Sequence, residues 1–146
     1  MMLLNTFHYE KKQMQSISGI IYLILGACLL PYVFTMIAKK AAGFTAKDNQ
    51  NPREALAKSE GLASRAHAVQ QNSFESLPLF IAAVLMAEYM VMPQRLIMTF
   101  GIAYLVCRVI YGICYLKNWA ALRTIVWLLS MLCPVTLLLL IIKLTS

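Results

Sequence analysis

The sequence predicts an all-α integral membrane fold, a single domain built as a bundle of four transmembrane helices. Three observations predict it. Of 146 residues, 60% are hydrophobic and only 13% charged, with a mean hydropathy of +0.68, which is oilier than an ordinary soluble domain. Apolar runs cover 17–38, 77–92, 96–116 and 120–144, and the first, third and fourth are near the ~20 residues a helix needs to cross a bilayer. Strand-period alternation, a long linker and an internal repeat are all missing, which argues against a barrel or a tandem array.

Residues 1–16 are polar and are expected to lie outside any fixed structure. The next run exceeds a signal-peptide core and ends in Ala38-Lys39-Lys40 without a small-residue cleavage site, so 17–39 is read as a retained first helix. Pro31 cannot donate a hydrogen bond, frees the carbonyl of Ala27 and is expected to bend it. Between Lys39 and Ser64 comes one sizeable loop, with Gly43 and the turn-forming run Asp48 to Arg53; Ala55 to Lys58 is expected to add a helical turn on the membrane surface. The second helix, 61–91, opens polar and becomes apolar only after Pro78, which frees the carbonyl of Phe74 beside Glu75. Met92-Pro93-Gln94 leads to a third helix, 95–117. The very short turn Lys117-Asn118-Trp119 makes the fourth helix, 119–144, its antiparallel neighbour. After Arg123 that last helix is almost wholly apolar, and its expected role is packing.

A net charge of +7 invites a nucleic-acid partner, but the basic residues scatter around helix ends and form no stripe with interleaved aromatics. Orientation uses them better. Lys39, Lys40, Lys47, Arg53, Lys58, Arg65, Arg108, Lys117 and Arg123 gather about the first and third connections, against Lys11, Lys12, Arg95 and Lys143 on the other side. The positive-inside rule then places both termini outside the cytoplasm. Cys28, Cys107, Cys114 and Cys133 all fall in apolar segments at spacings that match no zinc pattern or secreted disulfide framework; with only two, distant histidines, no metal site is expected.

Two polar faces carry the functional reading. Arg65, Ala68, Asn72, Glu75, Ser76 and Leu79 share one face of the second helix at ~100° per residue. On the third helix Tyr104, Arg108, Tyr111 and Tyr115 fall within about 60° of one another. Ionisable groups at such depth are costly, so they should face protein or a watery cavity. Either these faces bind something or they only tie helices together. If the two helices pack, Arg65 and Arg108 supply guanidinium forks, Glu75 a carboxylate, and Asn72 and the tyrosines neutral donors. Arg108 and Glu75 alternatively form a buried, structural salt bridge. Arg65 and Arg123, near the cytoplasmic boundary, are freer to hold an anion bidentately. A small zwitterion with carboxylates suits such a pocket, its apolar partner arriving from the lipid. Hydrolysis through a protein nucleophile is poorly supported, since no Ser-His-Asp, Cys-His or paired-carboxylate arrangement is present.

Arg65-Ala66, then Asn72-x-x-Glu75-x-x-Pro78-Leu79-Phe80, Arg108-x-x-Tyr111-x-x-x-Tyr115 and Leu122-Arg123 together resemble the MAPEG superfamily, the membrane-associated proteins in eicosanoid and glutathione metabolism. Asn51-Pro52-Arg53 and the run Gln70 to Glu75 look like its small bacterial members. The resemblance implies a four-helix protomer in a homotrimer, in a bacterial inner membrane, with glutathione as co-substrate between protomers. It assigns Arg123 to activation of the thiol, and Arg65, Asn72, Glu75, Arg108, Tyr111 and Tyr115 to the binding motif. The expected activity is transfer to lipophilic electrophiles or reduction of hydroperoxides; a non-catalytic lipid-binding or scaffold protein on the same fold is the alternative. Three departures stand out. Ser64 and Ala68 replace a glutamate and an arginine common in the motif, and Arg123 lies one residue later after Tyr115 than in the eukaryotic leukotriene-forming members.

Overall fold

The computed structural model describes residues 17–146 in full and, for 2–16, only the backbone, which belongs to the first helix. In chain order come α1 (Met2–Ala41), a 3-10 turn (Asp48–Gln50), α2 (Pro52–Ala57), α3 (Gly61–Tyr89), α4 (Gln94–Leu116) and α5 (Ala120–Thr145). The 17–41 part of α1, α4 and α5 are each long and apolar enough to cross a membrane. At ~1.5 Å per residue the 29 residues of α3 reach about 43 Å, but its first half is too polar to qualify on the same terms. It is nonetheless central, packing against α1, α4 and α5.

α1 begins at Met2, earlier than the start expected near Ile17. Its first stretch holds no glycine or proline, so nothing local stops a helix propagating back from the apolar span. Pro31 and Pro78 both lie inside continuous helices. At the first, the Thr35 hydroxyl donates to the Pro31 carbonyl at 3.1 Å.

The α1–α4 contact is cut to shape by two glycines. Leu23 fills the space over Gly101 and Phe34 the space over Gly112, so a Cβ at either site would collide with the α1 side chain. Small residues where helices cross permit this approach, the usual way apolar helices associate in lipid.

Three helix ends close in the same manner. After α1, Gly43 at φ 62° turns the chain, with Phe44 N–H donating to Lys39 O and Gly43 N–H to Lys40 O. After α4, Asn118 at φ 60° does so, with Trp119 N–H on Cys114 O and Asn118 N–H on Tyr115 O. After α3 the turning residue is Val91, φ 52°, with Met92 N–H on Ala87 O and Val91 N–H on Glu88 O. These are Schellman closures, in which the left-handed position suits glycine or asparagine. A β-branched residue there is strained, by ~1–3 kcal/mol. Val91 is also 85% exposed, so little packing offsets the strain. Val91→Gly is therefore expected to stabilise the protein by about 1 kcal/mol, read as a higher melting temperature in detergent.

In the α1–α3 connection, Pro52 opens α2, a position where its missing N–H costs nothing. The Asp48 carboxylate accepts from Thr45 N–H at 2.8 Å and from the Thr45 hydroxyl at 2.6 Å, and these contacts hold its pKa below the ordinary value.

Candidate functional site

α3 presents Ala66, Val69, Ser73, Ser76 and Phe80 to the interior, and α4 presents Tyr104, Arg108, Tyr111 and Gly112. The polar groups of these two faces form one chain. Arg108, only 1% exposed, donates from Nη1 to Asn72 Oδ1 at 2.9 Å and from Nη2 to Ser73 Oγ at 3.0 Å. Its guanidinium lies 4.6 Å from the Tyr111 ring centroid, and its Nε has no hydrogen-bond partner. Ser73 Oγ donates onward to Val69 O at 2.7 Å, and Ser76 Oγ to Ser73 O at 3.1 Å. Ser76 and the Tyr104 hydroxyl are 2.9 Å apart, while the Tyr104 ring stacks on Phe80 at 4.0 Å. Tyr104 is 2% exposed.

Among the described residues no carboxylate pairs with Arg108, and the one salt bridge is Lys58–Glu54, at 2.6 Å on the surface. Glu75 is exposed and reaches the cation only through Asn72, whose Nδ2 lies 3.4 Å from Glu75 Oε2. The buried Arg108–Glu75 salt bridge that the sequence allowed is therefore absent.

Above this chain, toward the α4–α5 turn, a recess of about 240 Å³ is lined by Asn72, Tyr111, Tyr115, Arg123, Thr124 and Trp127. The Arg123 guanidinium lies 4.3 Å from the Tyr115 ring centroid, and the Tyr111 and Tyr115 rings meet edge to face at 5.6 Å. Every polar group named here can donate: an amide N–H, phenols, a guanidinium, a hydroxyl and an indole N–H. The recess thus offers one cation and several hydrogen-bond donors over an aromatic floor.

Of the residues singled out in the sequence, Asn72, Tyr111, Tyr115 and Arg123 meet at this recess. Arg108 supports it from behind. Arg65 instead donates from Nε to Leu116 O at 3.1 Å, capping the end of α4 and fixing the start of α3 beside it. Thr124 and Trp127 were missed, although Trp127 follows Arg123 by one turn and so shares its face. The phase of Arg123 is set by the closure at Asn118, which turns α5 so that a guanidinium one residue late still faces Tyr115.

A larger hollow, about 470 Å³, lies where α1, α2 and α3 meet, between Phe44, Asp48, Lys58 and Glu60. Two carboxylates line it, and Lys58 is already matched by Glu54, so it lacks the free cation an anion site needs. No group of three or more metal-ligating side chains forms among the described residues, and the cysteines are free thiols.

The family model of the MAPEG family matches residues 19–143, most of the chain. The chain belongs to the MAPEG family. No curated protein matches it closely enough to count as a relative. Within this MAPEG protein, α3, α4 and the head of α5, which build the recess, all lie inside the matched region.

Proposed function

We propose that this protein is a membrane-bound glutathione-dependent transferase or peroxidase for lipophilic electrophiles or hydroperoxides. The observation that carries the reading is the Arg123 guanidinium at a recess that also holds Asn72, Tyr111 and Tyr115. A cation beside a bound thiol favours the thiolate, which is the nucleophile. Asn72 and the phenols donate to carboxylate and peptide oxygens, while Glu75 at the rim accepts from an ammonium; that donor and acceptor set fits a zwitterionic peptide. Bound there, glutathione supplies the thiolate that displaces a leaving group such as chloride from an electrophilic carbon, or that attacks a hydroperoxide oxygen so that the O–O bond breaks, the alcohol leaves and a second glutathione converts the sulfenic acid to disulfide and water. Arg123 holds the sulfur's negative charge, and the aromatic floor keeps water from it.

The same reading takes α3 as a fourth span and the functional unit as a homotrimer. A recess of about 240 Å³ falls below the ~300–1,000 Å³ usual for ligand pockets, and a second copy against the exposed Glu75, beside Asn72, would complete it. Both termini face away from the cytoplasm of a bacterial inner membrane, on the charge distribution given above. Lipid covers the remaining apolar surface, where Tyr22, Met36, Leu139 and Ile142 are all more than half exposed.

Glutathione is expected to raise the melting temperature of the detergent-solubilised protein, by about 2.7 kcal/mol of added stability at 100 times Kd. Unchanged melting, with lipid co-purifying in grooves between copies, would favour a non-catalytic lipid-binding or scaffold protein instead.

A further inference from the structure

We infer that Arg108 is a positioning residue that fixes the polarity of the recess by locking the Asn72 carboxamide in one orientation. It makes the recess select ligands that present acceptors. This rests on the proposed function for the identity of the natural ligand, though not for the class of ligand.

An asparagine amide has two nearly isosteric ends, one an acceptor and one a double donor. Left alone at a half-exposed site it can turn either end toward a ligand. Here it has no such freedom. Arginine has five N–H donors and no acceptor, and it does not lose its charge in proteins, so the Asn72 atom 2.9 Å from Nη1 must be the carbonyl oxygen. The opposite end, Nδ2, is thereby turned away from Arg108. One of its hydrogens points toward Glu75 along a long contact of 3.4 Å, which leaves the other for the recess that Asn72 lines.

Arg108 is itself held in place by further contacts. Its second fork nitrogen is held by Ser73 Oγ at 3.0 Å, which is itself tied to Val69 O at 2.7 Å, and its plane rests on Tyr111. Arg108 does not line the recess, yet it touches two residues that do. A buried guanidinium with no carboxylate partner is a poor device for stability alone. Orienting a neutral amide is a use that needs a donor-only cation and no counter-ion, since a carboxylate there would compete for the same nitrogens.

The test replaces the recess-facing donor while keeping the contact with Arg108. Asn72→Asp retains an oxygen toward Nη1, now as an ion pair, but presents a second carboxylate oxygen where the N–H was. Trp119→Phe leaves Trp127, in the recess wall, as the sole indole, and its fluorescence reports binding. In that background, Asn72→Asp is expected to weaken glutathione binding at least tenfold. Equal glutathione affinity in the two proteins would overturn the inference, because an amide serving only to tie α3 to α4 would be indifferent to the swap.

If the Asn72 protein gives no response to glutathione, the proposed function fails and the dicarboxylate glutarate becomes the probe. A tenfold loss with glutarate supports the inference, and equal or absent binding overturns it. Should Asn72→Asp not fold, Arg108→Met reads the same property from the other partner. It frees the amide and is expected to cost at least tenfold in affinity for the same probe, and unchanged affinity again overturns the inference.

Discussion

Arg123→Ala is expected to lower the rate of glutathione conjugation or hydroperoxide reduction about 10²- to 10³-fold, the loss seen when one donor aimed at a developing or resident anion is removed. The effect should fall on kcat more than on KM. Asn72, Tyr111 and Tyr115 remain to hold the peptide, whereas the charge that keeps the sulfur ionised is gone. Folding should be little affected, because the Arg123 side chain is partly exposed and its ring contact with Tyr115 at 4.3 Å is worth only ~0.5–1 kcal/mol at such a site. Steady-state rates with a chlorinated aromatic electrophile and with an organic hydroperoxide provide the check. Rates equal to those of the unsubstituted protein would remove Arg123 from the chemistry.

Arg108→Met should separate stability from function. Burying a guanidinium costs several kcal/mol of hydration. Against that stand two charge-assisted hydrogen bonds, at ~1.5–3 kcal/mol each, and a desolvated cation–π contact of ~2 kcal/mol, with Nε left unpaired. These nearly cancel. Methionine fills a similar volume without a charge, so its melting temperature should stay within a few degrees of the parent or exceed it. Glutathione affinity should nevertheless fall at least tenfold, because the amide of Asn72 is then held only by its long contact with Glu75. Arg108→Ala leaves a cavity as well and is expected to cost ~2–5 kcal/mol. Equilibrium unfolding in detergent beside a binding titration distinguishes the two substitutions. A large loss of stability in Arg108→Met with unaltered affinity would mean that the cation is there for the fold.

The membrane-protein class was legible because apolar run length is a direct physical requirement of a bilayer. The polar stripe Tyr104, Arg108, Tyr111 on α4 was legible for the complementary reason: hydrophilic groups at that depth must turn inward, and all three are buried. On α3 the period was right but the phase was not. The face read from the sequence runs through Arg65, Ala68, Asn72, Glu75, Ser76 and Leu79; of these Ser76 is buried, the rest of the interior face is Ala66, Val69, Ser73 and Phe80, and Glu75 and Leu79 are exposed. Small residues decide that contact, because helices in lipid approach through alanine, serine and glycine, and polar side chains take the borders. Arg65 reads in the sequence as an anion ligand, and in the structure its Nε caps the end of α4. That role depends on where α4 stops, which the left-handed turn at Asn118 decides. The same turn governs the direction of Arg123 and the place of Thr124 and Trp127 in the recess wall. A backbone closure of this kind leaves only one asparagine as its trace in the sequence.

The proposed chemistry turns on a thiol held as its anion beside Arg123. Ultraviolet difference absorbance during a glutathione titration of the purified protein near neutral pH measures this directly. A saturable thiolate band that disappears in Arg123→Ala is the predicted result. Saturable binding of glutathione with no thiolate band, or a band undiminished in Arg123→Ala, would contradict it.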